Sequence, residues 1–184
     1  MSDDAAGTAN PLGQKALPWA VRWWWLWAAL ALVAGAVTIA AAKGFNIVDL
    51  ELAGSVERAD EVVANTDVDT IRLAIYWDFV FILFYALALS TGSLWARRQF
   101  TDGFGSSIGI PVACGALVAA ALDIVENVSM LGYLNGWGDW TGWIPVARAM
   151  AIPKFLLVFV SIAYVLIGTA AWALGLLADR RRRR

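Results

Sequence analysis

The chain has 184 residues, of which 60% are hydrophobic and 16% charged, with 11 Trp and a formal net charge of -1; this is too apolar for an ordinary soluble domain and indicates an integral membrane protein. The absence of His excludes imidazole acid–base chemistry, His-held haem and His-ligated metals. Cys114 is the single cysteine, which excludes an intrachain disulfide and a thiolate cluster. Its apolar surroundings predict a packed, unreactive thiol.

Residues 1–18 are small and polar, hold Gly and Pro, and show no helical or strand period, so they read as a flexible tail. The first span is expected over 19–42. It opens on Trp19, Arg22, Trp23, Trp24, Trp25 and Trp27, and indoles favour the headgroup level, so the cluster marks a membrane boundary. Residues 38–43, Thr-Ile-Ala-Ala-Ala-Lys, have the small side chains of a signal-peptide cleavage site. The apolar stretch before them is longer than the ~7–15 residues of a signal peptide and is loaded with Trp. It reads as a retained span.

Residues 43–70 form the longest polar segment, with Asp49, Glu51, Glu57, Asp60, Glu61, Asp67 and Asp69 against Lys43 and Arg58. Ser55 is placed to cap a short helix running to about Ala64, to which Val56, Val62 and Val63 give a partial apolar face. The segment is expected to be a solvated loop carrying one helix that lies on the bundle. The second span is predicted over 70–95, with Asp78 and Tyr85 seven residues, or two turns, apart on one face. A short link containing two Gly, 99–107, predicts an antiparallel hairpin with the third span, 108–132.

The third span carries Asp123, Glu126 and Asn127. Positions i, i+3 and i+4 share a helical face, so the three project together. An Asp costs roughly 2.5–3.5 kcal/mol at the centre of a bilayer on insertion scales, so the polar face turns to protein or water. Ala120, Ala119, Ala116 and Gly115 precede them on the same side and permit close approach of a neighbouring helix. Gly and Asn in 133–142 predict a turn, and Trp137, Trp140 and Trp143 place it at an interface. The fourth span, 143–177, holds Arg148, Pro153 and Lys154; its length predicts tilt, a kink at Pro153 or an interfacial first turn. Asp179 and five arginines, Arg180 to Arg184, close the chain as a basic tail. The domain organisation expected is thus one transmembrane domain, 19–178, between the tails 1–18 and 179–184.

The basic residues set the orientation. Lys15 and Arg22, Arg97 and Arg98, and the terminal arginines fall on one side, the acidic loop and the Trp turn on the other, so both termini are expected in the cytoplasm. The arginine tail is expected to anchor topology and meet anionic lipid rather than nucleic acid. At 1.5 Å per residue, Asp78 and Glu126 lie ~10 Å, and Asp123 and Lys154 ~15 Å, from the outer ends of their spans. These depths predict one polar cavity in the outer half of the membrane, lined by Asp78, Tyr85, Asp123, Glu126, Asn127 and Lys154. One acid is expected to pair with Lys154 and at least one to hold a proton near neutral pH.

Asp78-Phe79-Val80-Phe81-Ile82 with Tyr85, then Asp123-Ile124-Val125-Glu126-Asn127, then Lys154 resembles the recurring pattern of a family of uncharacterised bacterial four-span integral membrane proteins: Asp-x-x-Phe with a following Tyr, Asp-x-x-Glu-Asn, and an intramembrane Lys. The resemblance covers about 70–158, implies the architecture and the site residues, and carries no reaction. A looser likeness joins the chain to membrane sterol isomerases and integral membrane terpene cyclases, in which carboxyl groups in an apolar helical cavity protonate an isoprenoid; their span counts and motifs differ.

The fold class expected is all-α: an antiparallel bundle of four transmembrane helices with a short extracytoplasmic helix in the first loop, in the bacterial cytoplasmic membrane. The site is expected to bind or act on a membrane lipid or lipidic small molecule, with Asp123 or Glu126 as general acid, Lys154 setting its charge and Asp78, Tyr85 and Asn127 contacting the ligand. No cofactor is expected. Three acids facing a Lys without a tight ligand motif do not predict a metal site. Two other readings stand beside this one: proton-coupled transport by a homodimer sealed along Gly115 and Ala119, and a scaffold whose polar cluster only holds the helices together.

Overall fold

A computed structural model describes residues 19–100, 103–138 and 141–182, leaving undescribed the side chains of Asp179, Arg180 and Arg182. The expected flexible tail, Lys15, Trp140, Arg183 and Arg184 lie outside the described residues.

Helix α1 (Trp19–Arg22) and helix α2 (Trp24–Ala41) are separated at Trp23, whose backbone (φ -102°, ψ 20°) leaves the helical region. Two short helices follow in the first loop, α3 (Ile47–Glu51) and α4 (Val56–Val63), and then the long helices α5 (Val68–Ala96), α6 (Phe104–Leu134) and α7 (Trp143–Arg182). A 3-10 turn, Arg97–Gln99, closes α5. No strand occurs among the described residues. Four helices, Trp24–Ala41, Val68–Gln99, Phe104–Leu134 and Trp143–Ala178, are long and apolar enough to cross a membrane. Together with the short loop helices they make an all-α transmembrane bundle, and the chain is a multi-pass membrane protein.

The exposed surface is that of a protein surrounded by lipid. Leu32, Val33 and Ile39 on α2, Leu83 on α5, Leu117 and Val118 on α6, and Leu156, Phe159 and Leu166 on α7 all point outward, on a scale that water would not tolerate. Cys114 is also exposed, so the expectation of a packed thiol is corrected. Its side of α6 faces away from the neighbouring helices, while Ala113 and Ala116 turn inward.

Local chemistry sets the element boundaries. Asn46 accepts from the Val48 backbone N–H at 3.3 Å to start α3, and Ser55 accepts from Arg58 N–H at 3.3 Å to start α4, where the sequence placed a cap. Asp67 starts α5 by accepting from the N–H of Thr70 at 3.0 Å. That backbone bond, with a second from the Thr70 hydroxyl, holds the Asp67 carboxyl below the usual aspartate range. α7 continues through Pro153 as a single helix from Trp143 to Arg182.

Helices α5, α6 and α7 form the centre of the bundle, and α2 lies chiefly along α5 at its edge. Small residues set the close approaches: a Cβ on Gly132 would press into the Trp143 ring, one on Gly168 into Ala96, and one on Gly92 into Val165. Gly115 and Ala119, expected as a possible dimer seam, are used inside the molecule. Gly115 lies against Leu157 of α7, and Ala119 is fully buried. Three apolar layers stack along the bundle. Leu50, Ala59, Ile71, Ile75, Met130 and Ile144 join the loop helices to α5, α6 and α7 at the loop-1 end. Ala31, Ile82, Tyr85, Ala86 and Ala120 fill the middle, and Ala96, Val112 and Tyr164 the opposite end.

Candidate functional site

Between the first and second of these layers the bundle turns polar. Asp78 lies ~15 Å from the start of α5, Glu126 and Asp123 ~12 and ~16 Å from the end of α6, and Lys154 ~16 Å from the start of α7, at 1.5 Å per residue. Three helices that run alternately up and down therefore bring their ionisable groups to one level. Other polar side chains of the spans behave differently. The hydroxyls of Thr38, Ser90, Ser129 and Ser161 each donate to the carbonyl four residues back in their own helix, which satisfies them without a neighbour. The ionisable groups instead reach across.

Lys154 is the hub. Its Nζ donates to Glu126 Oε1 at 2.9 Å, to Asp123 Oδ1 at 3.1 Å and to Glu51 Oε2 at 3.4 Å, so its three N–H bonds have three acceptors. Glu126 Oε2 also lies 2.8 Å from Nζ, as an ion-pair contact. The ammonium stands 4.5 Å from the centre of the adjoining Phe155 ring. On the far oxygen of Asp123, the Tyr85 hydroxyl donates at 2.8 Å. Asn127 Nδ2 donates to Asp78 Oδ2 at 2.8 Å. All seven residues, Glu51 included, are at most 9% exposed. The structure thus brings all six residues expected from the sequence into one place: Asp123, Glu126, Tyr85 and Lys154 as a connected network, Asp78 and Asn127 as a pair.

Glu51 is the member that sequence reasoning missed. It was expected among the solvated acids of the first loop and is 4% exposed, a correction. Helix α3 carries it there: Ile47, Leu50 and Glu51 stand at i, i+3 and i+4 on one face, and Leu50 is fully buried in the apolar layer above the cluster. Two apolar residues and a carboxyl on the same face of a capped five-residue helix were the available signal. The chain leaves α3 through Gly54, whose positive φ of 78° suits glycine and whose bare Cα side is filled by the Arg148 guanidinium. Burial pushes the Glu51 carboxyl above the usual glutamate range, against the opposing pull of Lys154.

The electrostatics follow from the count. Three carboxyls, Glu51, Asp123 and Glu126, share one ammonium, and Asp78, bonded to Asn127, is a fourth buried acid in the cluster. Each ion removed from water incurs a desolvation penalty of several kcal/mol, which only pairing and hydrogen bonds offset; four carboxylates against one cation leave most of that penalty in place. One further feature is unbalanced: Asn127 is fully buried, and its Oδ1 has no hydrogen-bond partner. A buried acceptor left without a donor costs about 1–3 kcal/mol.

No family model, curated protein or solved structure matches the chain, so the likeness to four-span bacterial proteins stands on the motifs quoted above.

Proposed function

We propose that the protein resides in a bacterial cytoplasmic membrane with both termini in the cytoplasm, and that its buried cluster binds a lipidic, isoprenoid-like small molecule and acts on it by acid chemistry. The observation that carries this reading is the unpartnered Asn127 oxygen beside a buried cluster in which three carboxyls share a single ammonium. The first supplies an acceptor for a ligand hydroxyl, and the second supplies bound protons next to an apolar wall of Ile82, Ala120 and Phe79. Asp123 or Glu126 is the general acid, and the surroundings of Asp123 show how its charged form would be held. Once it gives up its proton, the resulting carboxylate keeps the hydrogen bonds from Tyr85 and Lys154 that it already accepts, and this stabilises the charge as it forms. Return of a proton from another carbon of the ligand restores the acid, so the net change is a double-bond shift without any co-reactant.

Purification from native membrane followed by mass spectrometry of the extracted lipids tests the reading. A defined lipidic species is expected with the wild-type protein and loss of it with Asp123→Asn. No lipid with the wild type, or equal amounts with both, contradicts the proposal. A second reading, proton-coupled transport by a homo-oligomer, is favoured by the contacts that run without a break from Glu51 in the loop through Lys154 and Asp123 to Tyr85. Uptake into proteoliposomes that rises with an imposed pH gradient would select it.

A further inference from the structure

We propose that Glu51, the one carboxyl of the cluster supplied by a loop helix instead of a spanning helix, is the group through which the buried acids exchange protons with the water outside loop 1. This rests on the reading of the cluster as an acid site.

Geometry supports the assignment. Glu51, Asp123 and Glu126 sit on the same ammonium, at 3.4, 3.1 and 2.8 Å from Nζ. Leu52, next to Glu51, is exposed, and so is Asp49 two positions back, while Leu50 between them is buried. The other carboxyls are carried on spanning helices, ~12–16 Å into the bundle from the helix ends. The charged groups that face Glu51 are Lys154 from α7 and Glu126 and Asp123 from α6; Asp78 of α5 lies across the cluster, and Arg148 of α7 packs against Gly54 where the chain leaves α3. Asn127, with its unpartnered Oδ1, marks the opposite end of the cluster as the place for a ligand donor. That leaves the Glu51 end for proton entry.

The transfer is simple. Glu51 takes a proton from water on a carboxylate oxygen; Lys154 gives one ammonium proton to the Glu126 carboxylate and takes up the proton on Glu51, which returns to the carboxylate held by the restored ammonium. Glu126 is left as the neutral acid, and a second exchange on the same ammonium, one proton given to Asp123 and then one taken from Glu126, delivers the proton to Asp123.

Infrared spectroscopy of the full-length protein in lipid nanodiscs tests this through the rate at which the band of the buried protonated carboxyls shifts on transfer to D2O. Glu51→Gln is expected to slow that shift at least tenfold, while Glu57→Gln, on the exposed side of α4, leaves it at the wild-type rate. A wild-type rate in Glu51→Gln overturns the proposal. Should Glu51→Gln fail to fold, Glu51→Asp decides: its shorter arm withdraws the carboxyl, intermediate slowing is expected, and an unchanged rate overturns the idea. Lipid extraction of the same samples separates this claim from the one it rests on. Slowed exchange without any bound lipid in the wild type keeps the proton route and removes the ligand; unchanged exchange with lipid bound does the reverse.

Discussion

Lys154 is the residue on which the cluster balances. Lys154→Met removes the one cation and leaves Glu51, Asp123 and Glu126 facing each other in a buried site; a loss of about 3–5 kcal/mol is expected, as for other broken buried pairs, read as a lowered thermal midpoint in detergent. Glu126→Gln removes one of four acids instead, so it should cost less and should recover part of the loss when combined with Lys154→Met. Gly132→Ala probes packing in place of charge, because the added methyl meets the Trp143 ring, and about 1–3 kcal/mol of overpacking is expected by the same measurement. At this scale the sequence was legible wherever ionisable residues interrupt an apolar span: Asp78, Asp123, Glu126 and Lys154 stand out because lipid forbids them. Glu51 did not stand out. It is one of seven acids in a loop where charge needs no explanation, and only the neighbouring Ile47 and Leu50 distinguish its face of the helix.

At the scale of elements, the loop helices cover the cluster. α3 is fixed by Leu50 and by the Glu51–Lys154 contact, and α4 by Ala59 in the apolar layer and by the Tyr133 hydroxyl, which donates to Asp60 at 2.5 Å. Ser55→Ala removes the α4 cap and should cost about 1 kcal/mol, seen as faster amide exchange confined to Val56–Val63. Acid and base act on the loop with opposite sign. The raised value of Glu51 means the native state binds its proton more tightly than the unfolded chain; stability is greatest below the ordinary glutamate value and falls as pH rises through the raised one. Asp67, held low by its cap to Thr70, contributes above the ordinary aspartate value and loses that contribution as pH falls through its depressed one. Unfolding midpoints measured against pH should therefore flatten on the alkaline side in Glu51→Gln and on the acid side in Asp67→Asn. The α4 cap was legible because Ser followed by an amphipathic turn has few alternatives. The α3 helix was not, since five residues carry too little periodicity to separate a helix from a turn.

For the whole molecule, the four apolar spans and their antiparallel order were legible because a helix that must satisfy its backbone in lipid has a fixed minimum length. Less legible was the inequality among the spans. The polar stripe of Asp123, Glu126 and Asn127 marks the third span as central, but nothing in the uniformly apolar first span reveals its place; α2 packs chiefly along α5, while α5, α6 and α7 share the polar level. The orientation inferred from the basic residues predicts that, in a Cys114→Ala background, Ala64→Cys reacts with an impermeant thiol reagent from outside intact cells and Ser107→Cys only after the membrane is opened. Reversed labelling would overturn it.

The claim beneath all of this is that a loop acid and a lysine buried in a membrane helix belong to one electrostatic unit. The most direct measurement is a double-mutant cycle on thermal stability with Glu51→Gln, Lys154→Met and their combination, in the same lipid. Coupling of about 1 kcal/mol or more is predicted, in the range found for residues in direct contact. Effects that add to within about 0.5 kcal/mol, as for distant sites, would contradict the account.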